Sequence, residues 1–153
     1  MNNTIKTYSI LTWCLAVGKD FADAELEKLH GEGNFQDVKK AGELIHKNAL
    51  TAIRAMPMIN MGKKAQQKIS KNILFFDSIG YVKSGVKRTE VMVALMLVAV
   101  EDIMQHISNP KRLLPITKLH NAILELSTII DPEADQTAHY IRGDYAYQRW
   151  LGK

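Results

Sequence analysis

The chain has 153 residues, of which 46% are hydrophobic and 24% charged, with a formal net charge of +4. That composition excludes a disordered chain, and this length suits one domain burying about 68–70% of its unfolded surface, with no disulfide or metal needed to support a core. A single cysteine, Cys14, excludes an internal disulfide and gives no sign of an oxidising compartment.

The first apolar stretch, 8–17, has some of the character of a signal peptide. It contains Ser9 and Thr12, has little basic sequence before it and lacks an A-x-A cleavage site, so it reads as a first core helix over 4–17. Asp20 then caps a short helix reaching His30, with Asp23 and Glu25 in its first turn. Gly31 and Gly33 stop it. Asn34 caps the next helix, whose stripe of Val38, Ala41, Ile45, Ala49, Ala52, Ile53 and Met56 repeats at spacings of three and four. Pro57 ends it.

A fourth helix spans 61–76. Ala65, Ile69, Ile73 and Phe76 form its inner face, and Lys64, Lys68 and Lys71 lie on the other side. Residues 78–84 read as a loop or a frayed helix. The fifth helix opens at Thr89 and is apolar all round from 91 to 100, so it must be surrounded. Its ten apolar residues fall short of the ~20 that a membrane span needs. A sixth helix starts at Pro110 or Pro115 and turns Leu119, Ile123, Leu126 and Ile130 inward. The last is capped by Asp131, with Pro132 at its first position, and carries Tyr140, Tyr145, Tyr147 and Trp150.

The chemical motifs are few. Glu27 with His30, and Glu43 with His46, match the Glu-x-x-His spacing of di-metal helical bundles. Glu43, however, lies about 200° from Ile45 around its helix, away from the core. Both pairs read as solvated charge, and no metal or cofactor is expected. Asp102 and His106, one turn apart, have acid–base spacing but read as the solvated end of the buried helix. Cys14, among Trp13, Leu15 and Val17, reads as an inert core thiol. The 85–91 stretch has a turn glycine and Val91 in helix-turn-helix positions. The helix that follows has no polar side chains for base edges beyond its first turn, so a plain helix start is the better reading. Walker A, H-E-x-x-H, nucleophile-elbow and C-x-x-C patterns are absent from the sequence, and an enzyme is not expected.

Charge is distributed unevenly. Residues 1–37 carry a net −3, 38–118 a net +9 and 119–153 a net −2. The middle segment holds fourteen basic residues, Lys47 and Lys118 among them. The candidate binding residues are Lys63, Lys64, Lys68, Lys71, Lys87, Arg88, Lys111 and Arg112. Eleven of the fourteen are lysines, which suits a solubilising role as much as phosphate recognition by arginine forks.

These features predict one soluble, cytoplasmic, all-α domain over 1–153: a compact bundle of six to seven helices around a buried central helix. The apolar fifth helix, with Met92, Met96 and Met104, suggests a homodimer. The function expected is a small non-enzymatic regulator or inhibitor of bacterial, plasmid or phage type. It would dock through its basic middle segment onto nucleic acid or an acidic protein partner. The alternative is an interaction module that uses apolar and aromatic helix surfaces without nucleic acid.

Overall fold

The computed structural model describes residues 3–23, 35–56, 62–79, 88–130 and 136–152. They form six helices: α1 (Asn3–Asp23), α2 (Phe35–Ala55), α3 (Lys63–Ile79), α4 (Arg88–Gln105), α5 (Pro110–Ile130) and α6 (Gln136–Leu151). No strand occurs among the described residues. No helix among them is long and apolar enough to cross a membrane.

Glycine explains a boundary that moved within the described residues. The helix expected to stop at 17 continues through Gly18 to Asp23. A Cβ on Gly18 would lie 2.7 Å from the His46 backbone nitrogen, and one on Gly42 would lie 2.7 Å from the Phe21 Cβ. The two glycines face each other where α1 crosses α2, so Gly18 lets two backbones approach rather than ending a helix. The remainder of the expected short helix to His30, together with Gly31 and Gly33, lies outside the described residues.

α4 packs against α6, α5, α1 and α3. Val91 and all of 93–100 are buried, as is Ile103. Met96 is fully buried, and Met92 and Met104 pack against the chain's own core. The apolar surface that suggested a second copy is therefore covered within one chain.

α2 buries Val38, Ala41, Ile45, Ala49 and Ala52 between α1 and α5, on the spacing read from sequence. α5 starts at Pro110: the Asn109 Oδ1 accepts the Lys111 amide at 2.9 Å, and its carbonyl accepts the Leu113 amide at 3.0 Å. Asparagine caps and proline follows, a pre-organised helix entry. Pro115 sits inside the helix, so it has no N–H to offer the Lys111 carbonyl.

Aromatic rings tie the other side together. Trp13 of α1 stacks on Phe76 of α3 at 4.8 Å, and Phe76 meets Trp150 of α6 at 4.5 Å. Of the C-terminal aromatics, Tyr147 and Trp150 enter the core while Tyr145 is exposed.

Candidate functional site

α2 and α5 pack side by side and leave an open groove of about 690 Å³ along their outer edge. α2 contributes Leu44, Lys47, Asn48, Thr51 and Ala55, one edge of a helix by spacing. α5 contributes Lys111, Leu114, Pro115, Lys118 and, further along, Glu125. Its apolar lining includes Leu44, 37% exposed, and Leu114, 58% exposed. Three exposed lysines line it against one carboxylate. Asn48 donates to the Leu44 carbonyl and Thr51 to the Lys47 carbonyl, so their donors stay within α2. Among the described residues, no cysteine, histidine or aspartate lines the groove. Its lining combines positive charge with apolar side chains.

The sequence-predicted residues divide among several surfaces. Lys111 stands in the groove, joined there by Lys47 and Lys118, which belonged to the basic segment but not to the candidate set. Arg112, one residue on, lines a different hollow of about 200 Å³ with His106 and Ser108. Lys63, Lys64, Lys68 and Lys71 are all exposed on α3, a helix packed on α1, α4 and α6 and not one of the two that form the groove. Lys87 lies outside the described residues, as does the side chain of Arg88. Of the 85–91 stretch with the helix-turn-helix spacing, 85–87 also lie outside them, and 88–91 open α4.

The half-buried polar centre was not legible from sequence. Lys6, a buried lysine on α1, reaches Asp102 of α4 with Nζ 2.8 Å from Oδ2. The Tyr147 hydroxyl of α6 donates to the same oxygen. His106 stands 3.5 Å from the other carboxylate oxygen. Asp102 is therefore no solvated helix end: it joins three helices. Burial alone would raise its pKa. Hydrogen bonds from Lys6 and Tyr147, with the charges of Lys6 and His106, outweigh burial and hold it below the ordinary aspartate value. Burial, then the bond to Asp102 and its charge, push the Tyr147 hydroxyl up, so it stays protonated. One residue earlier, Glu101 meets His120 of α5 at 2.7 Å. Only the 96-residue separation of Lys6 and Asp102 hid this pair.

The other reactive groups have structural uses. Burial pushes the Cys14 thiol far up, out of the nucleophilic range. His46 lies with Nδ1 3.1 Å from the Leu15 carbonyl, which only accepts, so Nδ1 carries the proton and ties α2 to α1. Glu43 is exposed. Glu27 and His30 lie outside the described residues. Among the described residues, no three His, Cys, Asp or Glu side chains gather as metal ligands.

Compared with protein-family models, curated proteins and solved structures, the chain matches none.

Proposed function

We propose that this chain is a non-enzymatic binding protein whose α2–α5 groove docks an acidic amphipathic segment of a protein partner. One observation carries the reading: Lys47, Lys111 and Lys118 line the same groove as the exposed Leu44 and Leu114. Phosphates gain nothing from leucines. A helix with acidic and apolar residues at spacings of three and four uses both halves of the surface. The bundle organised around α4 then serves as the rigid scaffold that holds α2 and α5 apart at this spacing.

A labelled helical peptide with leucines on one face and glutamates flanking them is the direct probe. Fluorescence anisotropy should show saturable binding, weakened at least tenfold by Leu114→Glu and by Lys111→Glu with Lys118→Glu. Equal binding by a peptide with lysines in place of the glutamates, or by the variants, overturns the reading.

A second reading is favoured by α3. Lys63, Lys64, Lys68 and Lys71 are all exposed on one helix, with no carboxylate between 63 and 76. That stripe suits a polyanion such as nucleic acid. Lys64→Glu, Lys68→Glu and Lys71→Glu together should then abolish oligonucleotide binding. Affinity should fall steeply with salt, with a log–log slope of about −0.9 for each phosphate neutralised. Retained binding by the triple variant leaves these lysines a solubilising role.

A further inference from the structure

α3 is a lightly anchored helix whose own charges work against it. Among residues 62–76, Phe76 is the one buried side chain, and Leu74 is 68% exposed. The Phe76 ring meets those of Trp13 and Trp150, the chain's two tryptophans. One turn earlier, the Asn72 side-chain amide donates to the buried Ser9 hydroxyl at 3.1 Å, and that hydroxyl donates to the Ile5 carbonyl. Toward the N-terminus, the apolar side chains on offer are the half-buried Ala65 and Ile69. On the exposed side, Lys64, Lys68 and Lys71 occupy an arc of about 60° at ~100° per residue. Lys64 and Lys68 stand four apart, Lys68 and Lys71 three apart, and like charges at both spacings repel. Lys63 and Lys64 stand in the first turn, where the helix dipole favours anions and no acidic residue is present. The one carboxylate of the helix, Asp77, belongs to the last turn, where the dipole favours cations. A helix of 17 residues is marginal in water by itself, and this one is charged against its own dipole, so off the bundle it does not stay helical. Leaving the bundle and dispersing the lysine stripe are therefore one event. With one buried side chain to lose and repulsion to relieve, that event is cheap.

We infer that α3 is a charge-controlled latch: it opens from the bundle as a unit, uncovering the Trp13 and Trp150 rings, and a phosphodiester polymer lying along Lys64, Lys68 and Lys71 holds it shut. This deepens the reading of these lysines as a polyanion site and rests on it. The stripe from 64 to 71 is ~10.5 Å long, the axial rise of about three base pairs of duplex DNA. Phosphates there neutralise the repulsion that opens the helix. They find the lysines aligned in the closed form alone, because the open form has no helix to align them. A ligand that binds the closed form alone suppresses opening, by mass action, by the factor 1 + [L]/Kd.

Hydrogen-exchange mass spectrometry on the full chain tests this, with a DNA duplex of about 20 base pairs as the probe. Without duplex, the α3 amides should exchange together, at least about tenfold faster than those of α4. Raising salt from about 20 to about 500 mM should slow them by screening the lysines from one another. At low salt, duplex at ten times its Kd should slow α3 about elevenfold and leave α4 unchanged. Lys64→Gln with Lys68→Gln, both exposed positions, should slow α3 in the absence of duplex and make it indifferent to duplex. An α3 that exchanges as slowly as α4 overturns the inference, as does a double variant whose α3 exchanges as fast as the wild type. Duplex that binds by fluorescence anisotropy but leaves α3 exchange unchanged overturns the latch and leaves the polyanion reading standing. Duplex that does not bind the wild type removes that reading, and the latch with it.

Discussion

Lys6 shows what a buried charge demands. A lysine this far from water is costly without a partner, and Asp102 and Tyr147 supply the compensation. Asp102→Asn keeps the shape but leaves the ammonium without its counter-charge, and should cost roughly 1–3 kcal/mol by denaturant unfolding near pH 7. Because the folded-state pKa of Asp102 is depressed, its contribution is present above the unfolded value, about 3.9, and is lost as pH falls through the folded value. The stability gap between wild type and Asp102→Asn should therefore narrow below about pH 4. A gap that stays constant down to pH 2 would show that the ion pair contributes nothing. Gly143 makes a second argument at this scale. A Cβ there would sit 2.2 Å from the Ala94 carbonyl oxygen, a backbone atom that cannot swing away. Glycine to alanine inside a helix ordinarily stabilises by up to ~1 kcal/mol. Gly143→Ala should instead destabilise, by about 1–3 kcal/mol, because α6 must move off α4. A raised melting temperature would mean that the crossing is looser than this.

At the scale of elements, apolar periodicity was a good guide wherever a helix has two unlike faces. The α2 stripe is buried as spaced, and on α3 Phe76 is buried with Ile73 half-buried while the lysines point outward. The all-round apolar run of α4 signalled enclosure, and Val93, Leu97 and Val100 are each at most 1% exposed. Leu97→Ala should cost about 2–5 kcal/mol, and an unchanged melting temperature would contradict that burial. The expected end at 17 failed because α1 runs on through Gly18, whose missing Cβ admits the α2 backbone, and Asp20 lies inside the helix rather than capping a new one. Gly42, which faces Gly18, is on another helix. Pro115 was equally ambiguous: proline starts helices, but Asn109 and Pro110 had already supplied the cap and first position.

For the whole molecule, the uneven charge was legible and its geometry was not. The basic middle segment includes α2, α3 and the first part of α5, and packing distributes its lysines over separate surfaces. Lys47 and Lys118, 71 positions apart in the chain, share a groove, whereas the neighbours Lys111 and Arg112 line different hollows. Because lysines with exposed heads contribute little to folding, Lys111→Glu with Lys118→Glu should shift stability by less than about 1 kcal/mol while abolishing acidic-peptide binding. A large loss of stability in that variant would assign these lysines to the fold instead. The sequence by itself determined the all-helical class, the enclosed helix, the inert thiol and the excess of positive charge. Each depends on residue type and on spacing within one helix, which the 3.6-residue period dictates. Tertiary structure alone decided the partner of Lys6, the meeting of Gly18 with Gly42, and the lysines that face the same leucines. These depend on which helices become neighbours, and that choice is made by side chains far apart in the chain.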